Sequence, residues 1–74
     1  MRIADFTRRE LDIFREECNF TTEERRCFDL KSKDCTNIQL AMELSVSEST
    51  ISVIMRRVRT KITKVVEAGG LKNV

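Results

Sequence analysis

No proline interrupts these 74 residues, and the two glycines, Gly69 and Gly70, stand side by side near the end. A sheet protein needs a turn every few residues, and turns draw on glycine and proline. A chain this poor in both is steered towards helices. Apolar residues make up 41% and charged residues 35%, a balance that suits a small helical domain and is too hydrophobic for disorder. At this size only about 60% of the unfolded surface can be buried, so the core is expected to be thin and helped by oligomerisation. The fold class is therefore all-α, in a single domain over residues 1–74.

Four helices can be read from their starts and their apolar spacing. Thr7 with Glu10, Thr21 with Glu24 and Thr36 with Gln39 each have the three-residue spacing of a capping box. In the first helix Leu11, Phe14 and Cys18 recur at i, i+3 and i+7, and Asn19 is a stop. Ile3, Phe6 and Ile13 lie off that stripe and predict a second contact surface. Phe20 sits where a hydrophobic staple would, and Cys27, Phe28 and Leu30 supply the core of the second helix. Leu40, Ala41 and Leu44 face inward from the third. A three-residue break, Ser45–Val46–Ser47, precedes a fourth helix capped by Ser47 and starting at Glu48. Its stripe of Ile51, Ile54, Met55, Val58, Ile62 and Val65 holds phase to Ala68, where Gly69–Gly70 stops it.

The opposite face of that helix carries Ser49, Ser52, Val53, Arg56 and Thr60, with Arg57 at its border. Short side chains let a backbone approach closely. Serine can bond any base edge, a valine methyl can pack on the thymine methyl, and arginine can fork onto guanine. A solvated face would also carry serine and arginine, but a helix, a short turn and a second helix form the helix-turn-helix arrangement. Val46 plugs that turn between Ala41 and Ile51.

Net charge is only +2, yet it is polarised. Residues 1–29 hold eight acids and six bases; residues 48–74 hold two acids against six bases. A polyanionic partner is expected for the basic end. Eight and seven residues separate Cys18, Cys27 and Cys35, with no histidine and no Cys-x-x-Cys pair. They read as small apolar residues in a reducing cytoplasm, so no metal and no cofactor is expected. No segment has the apolar length of a signal peptide or membrane span, which predicts a cytoplasmic protein. Without histidine, a glycine-rich phosphate loop or a carboxylate pair, the chain lacks the parts of an enzyme.

From Phe20 to Ile62, 43 of the 74 residues, the chain resembles without gaps the DNA-binding domain of LuxR-type response regulators and region four of bacterial sigma factors. The LuxR-type pattern is Leu-Thr-Pro-Arg-Glu, then Ser-Asn-x-x-Ile-Ala, then Ile-Ser-Glu-x-Thr-Val. It is matched here at Thr21, Glu24, Asn37, Leu40, Ala41, Leu44, Val46, Ser47, Glu48, Thr50 and Ile51. The resemblance implies a helix-turn-helix core, which the helical reading extends over residues 20–68. The helix read in residues 1–19 is an N-terminal accessory that the family pattern lacks, and together they make a four-helix domain. The turn lies at 45–47 and the recognition helix runs from Glu48. It implies base reading by Ser49, Ser52, Val53 and Arg56, and phosphate contacts by Thr36, Asn37, Thr50, Arg57 and Lys61. The partner is then double-stranded DNA, the role transcription regulation, and the state a homodimer, because one short helix reads few base pairs.

The departures from the pattern matter as well. Thr22 replaces a proline, and Lys31 stands where the family prefers an apolar residue. Ile38 and Met42 share the outer side of the third helix and are expected to be covered, by the first helix in preference to a second subunit. The recognition helix runs on through "KVVEAGG" where LuxR-type domains resume with a further short helix. A free-standing module of bacterial or phage type, without a receiver domain, is the expectation. The competing function is a sigma-like module contacting RNA polymerase or another regulator, served by the acidic first half and the Ile3, Phe6 and Ile13 side.

Overall fold

A computed structural model describes residues 1–71. After a short 3-10 turn at Ile3–Asp5 come α1 (Arg8–Glu17), α2 (Thr22–Ser32), α3 (Asn37–Leu44) and α4 (Glu48–Glu67). Among the described residues there is no strand. The architecture is the all-α, four-helix helix-turn-helix domain that the sequence predicts.

Each start is chemically marked. Thr7, Thr21 and Thr36 accept the N–H of the residue three places on, and Glu10, Glu24 and Gln39 reach back to the cap N–H. Two orphan donors are satisfied at each start, and removing such a cap typically costs about 1 kcal/mol. At α4 the Ser47 hydroxyl accepts the Thr50 N–H at 3.2 Å and lies 3.1 Å from the Thr50 hydroxyl.

The ends share one geometry. Ser45 directly after α3, and Asp34 and Gly69 one residue past the C-caps of α2 and α4, take the left-handed conformation. In each case the next residue's N–H returns to a carbonyl inside the helix: Cys35 to Leu30 at 3.2 Å, Val46 to Ala41 at 3.0 Å, Gly70 to Val65 at 2.9 Å. This is the Schellman closure, with Val46 and Cys35 packed against the core beside it. Only after α4 is the left-handed residue a glycine. Gly70 is needed for a different reason: a Cβ there would come 2.5 Å from Val65 Cγ1 and 2.9 Å from its carbonyl oxygen.

α4 is the hub, with α1, α2 and α3 all packed on it. Its buried stripe is Ile51, Ile54, Met55, Val58 and Ile62, with Val65 half-buried. Around it lie Phe14, Cys18, Cys27, Phe28, Leu40 and Ala41. Burial pushes the Cys18 thiol up to about 11 and raises that of Cys27, so both behave as small apolar side chains.

Two expectations are corrected. Ile3, Phe6 and Ile13 do not form a separate surface. Ile3 is buried in the one core, Phe6 meets Phe14 edge-on at 4.9 Å between centroids, and Ile13 is half-buried. The extended start of the chain folds back on α2, held by the Arg2–Asp34 ion pair at 2.6 Å. Nor does α1 cover Ile38 and Met42, which stay 58% and 76% exposed. The physical reason is that α1 spends its apolar stripe on the core, packing on α4 and meeting Phe28 of α2 through Phe14. Phe20 precedes the α2 cap as a staple would, but its partner is Phe28, 5.0 Å away, rather than a residue of the first turn.

Candidate nucleic-acid interface

The first three turns of α4 divide by face. Ile51, Ile54 and Met55 are buried, whereas Ser49, Ser52, Val53 and Arg56 are exposed on the opposite side. At about 100° per residue these four span about 100° of the helix circumference, with Ser49 and Arg56 near the middle of that arc. Val53 is an exposed apolar side chain between two serines and an arginine. The fold thus brings the four expected base-reading residues together on one face.

Arg56, Thr60 and Lys64, at i, i+4 and i+8, continue that face as a ridge between two open grooves. The larger, about 610 Å³, lies between α4 and the start of α3 and is lined by Asn37, Ser52, Arg56, Arg59, Thr60, Thr63 and Lys64 among others. The smaller, about 270 Å³, is lined by Glu24, Arg56, Arg57, Thr60, Lys61 and Lys64. Among the described residues Arg56, Arg57, Arg59 and Lys64 have no carboxylate partner, whereas Arg2, Arg15 and Arg25 in the first half are paired with Asp34, Asp12 and Asp29. The charges of these four α4 side chains are therefore left open to a ligand.

The expected phosphate residues are spread around this face. Thr36 caps α3 and is exposed, beside helix N–H groups that have no intrahelical acceptor. Asn37 reaches the larger groove, but its Oδ1 is buried without a hydrogen-bond partner among the described residues. Its amide NH₂ and its backbone N–H are the groups able to meet an anion. Thr50 is exposed on the first turn of α4, its hydroxyl beside that of Ser47. Arg57 is exposed at the edge of the smaller groove.

Lys61 is set differently. Its Nζ donates to the Glu24 carboxylate and to the Asn19 carbonyl, so its charge is engaged inside the protein. Burial pushes the Glu24 carboxyl up, but the hydrogen bonds from Lys61 and the Thr21 N–H, with the charges of Lys61 and Arg57, outweigh it and hold it below its ordinary value.

Arg59, Thr63 and Lys64 line the same grooves, although the sequence reading gave them no contact role. The signal was available: on the helical wheel each lies within about 80° of Arg56. Among the described residues no group of three or more cysteine, aspartate or glutamate side chains stands ready to hold a metal ion, and no helix is long and apolar enough to cross a membrane.

One family model, that of bacterial regulatory proteins of the luxR family, matches residues 18–65. No curated protein and no solved structure matches the chain.

Proposed function

The chain belongs to the luxR family of bacterial regulatory proteins and is thus a DNA-binding transcription regulator, and we propose that it works by laying α4 in the major groove of double-stranded DNA. Ser49, Ser52, Val53 and Arg56 then face base edges, while Thr36, Asn37, Thr50 and Arg57 meet backbone phosphates. The observation that carries this reading is the face itself: four short or forked side chains, exposed together, on a helix whose other side is buried and whose Arg57, Arg59 and Lys64 have no carboxylate partner among the described residues. A groove about 12 Å wide admits such a helix, and short side chains at its start let the backbone close in. Thr36 and Asn37 begin α3, whose free N–H groups suit a phosphate oxygen.

Two copies acting on paired half-sites would give the specificity that one short helix lacks, and the DNA target puts the protein in the cytoplasm. The exposed Ile38 and Met42 on α3 leave an apolar strip for a second copy or for RNA polymerase. The sigma-like alternative loses one of its two supports, because Ile3 lies in the core and Phe6 packs against it, and keeps only the acidic first half.

Selection of bound sequences from a random duplex pool tests the proposal. The expected outcome is a preferred sequence, repeated with two-fold symmetry if the homodimer forms. Binding at low salt with no preference at any position would reject base reading. No binding at all would reject the groove placement.

A further inference from the structure

Apolar packing holds α4 to the rest of the molecule, and apolar packing has little direction. Among the described residues, and apart from the bonds of its own caps, the only hydrogen bonds between α4 and the rest of the chain are those of Lys61. Its Nζ donates to Glu24 Oε1 and, at 3.2 Å, to the carbonyl of Asn19. The Glu24 side chain is only 5% exposed, and the same Oε1 accepts the Thr21 N–H at 3.0 Å. Asn19, in the left-handed conformation, ends α1, whereas Thr21 and Glu24 begin α2. One ammonium therefore joins three helices at a point five residues beyond Arg56.

We propose that this junction fixes the rotation of α4 about its own axis, so that Lys61 positions the base-reading face and is not itself a phosphate contact. The inference rests on the DNA-reading function proposed above. Geometry makes the setting matter. Side-chain tips lie about 5–6 Å from a helix axis, so a rotation of about 10° moves each tip by about 1 Å. A hydrogen bond to a base edge tolerates only a few tenths of that. Energetics agree: an ion pair whose carboxylate is buried, as that of Glu24 is, adds little net stability compared with apolar side chains of similar volume, and fixing register is its best-attested use. Arg57, Arg59 and Lys64, which have no such partner among the described residues, remain available to phosphate.

The test uses the full chain with E24Q/K61M. Glutamine keeps the cap on Thr21, as Gln39 does on Thr36, and no uncompensated charge is left buried. Two quantities are measured: affinity for the duplex selected by the wild type relative to a random duplex, and the salt dependence of random-duplex binding. The expected result is a relative affinity lower by about tenfold, the order of one lost base contact, with an unchanged salt slope. A salt slope smaller by about 0.9 marks a lost phosphate contact and overturns the proposal. So does an unchanged relative affinity. If E24Q/K61M fails to fold, K61R decides, because it keeps the charge while altering the junction. A positioning role predicts the lowered relative affinity and a phosphate contact predicts wild-type behaviour. A wild-type chain with no affinity for either duplex would instead reject the function proposed above, before any variant is made.

Discussion

Arg56 and Arg57 are adjacent in sequence, exposed and without an ion-pair partner among the described residues, yet a helix turns them about 100° apart. Arg56 shares the sector of Ser49, Ser52 and Val53, whereas Arg57 looks over the smaller groove towards Glu24. Their substitutions should therefore differ in kind. Arg56→Ala is expected to weaken the selected site by about 1–3 kcal/mol and relax preference at one position. Arg57→Ala should weaken every sequence alike and lower the salt slope by about 0.9. Competition titrations with matched and mutated duplexes, repeated over a salt series, separate the two. Equal loss on every duplex for Arg56→Ala would remove it from the base-reading set.

At the scale of the helix, starts were easier to read than ends. A threonine three residues before a glutamate or glutamine marks a start by local chemistry alone, and α1, α2 and α3 all begin there. Asn19 and Gly69 mark the ends of α1 and α4, but the ends of α2 and α3 carry no comparable signature, because Asp34 and Ser45 do a job that glycine usually does. Asn and Asp visit the left-handed region more readily than serine. Ser45→Gly is thus expected to stabilise the protein by about 0.5–1 kcal/mol in urea unfolding, strain relief outweighing the extra freedom of the unfolded chain. Ser45→Ala, which keeps the strain, should show no gain. The rest of what the sequence withheld is long-range. The Glu24–Lys61 contact spans 37 positions, and no local spacing announces it. The same holds for Ile38 and Met42, whose exposure follows from where α1 spends its apolar face.

For the molecule as a whole, α4 is both the spine of the core and the proposed reading element, so packing defects and binding defects share a route. Phe14 is fully buried beside Phe6 and Phe28 and belongs to α1, outside the matched span of residues 18–65. Phe14→Ala should cost about 3–5 kcal/mol, a large share of the roughly 4–11 kcal/mol expected for a domain of this size. Thermal unfolding followed by circular dichroism reads it, and a loss below about 1 kcal/mol would mean that α1 is a mere appendage. Acid sensitivity should centre on Glu24. Its carboxyl is held below its ordinary value in the folded state, so the folded state binds its proton later than the unfolded chain does. The stabilisation is present in full above the unfolded value near 4.3 and is lost as pH falls through the lower folded one. Unfolding midpoints should decline below about pH 4.5, and less steeply in E24Q; identical acid limbs would clear Glu24 of that part. On the outer face, by contrast, the side chains of Ser49, Ser52, Val53 and Arg56 make no hydrogen bond or ion pair within the described residues. Substitutions there disturb no internal partner, so a lineage could retarget such a protein by successive single changes while the fold tolerates every intermediate.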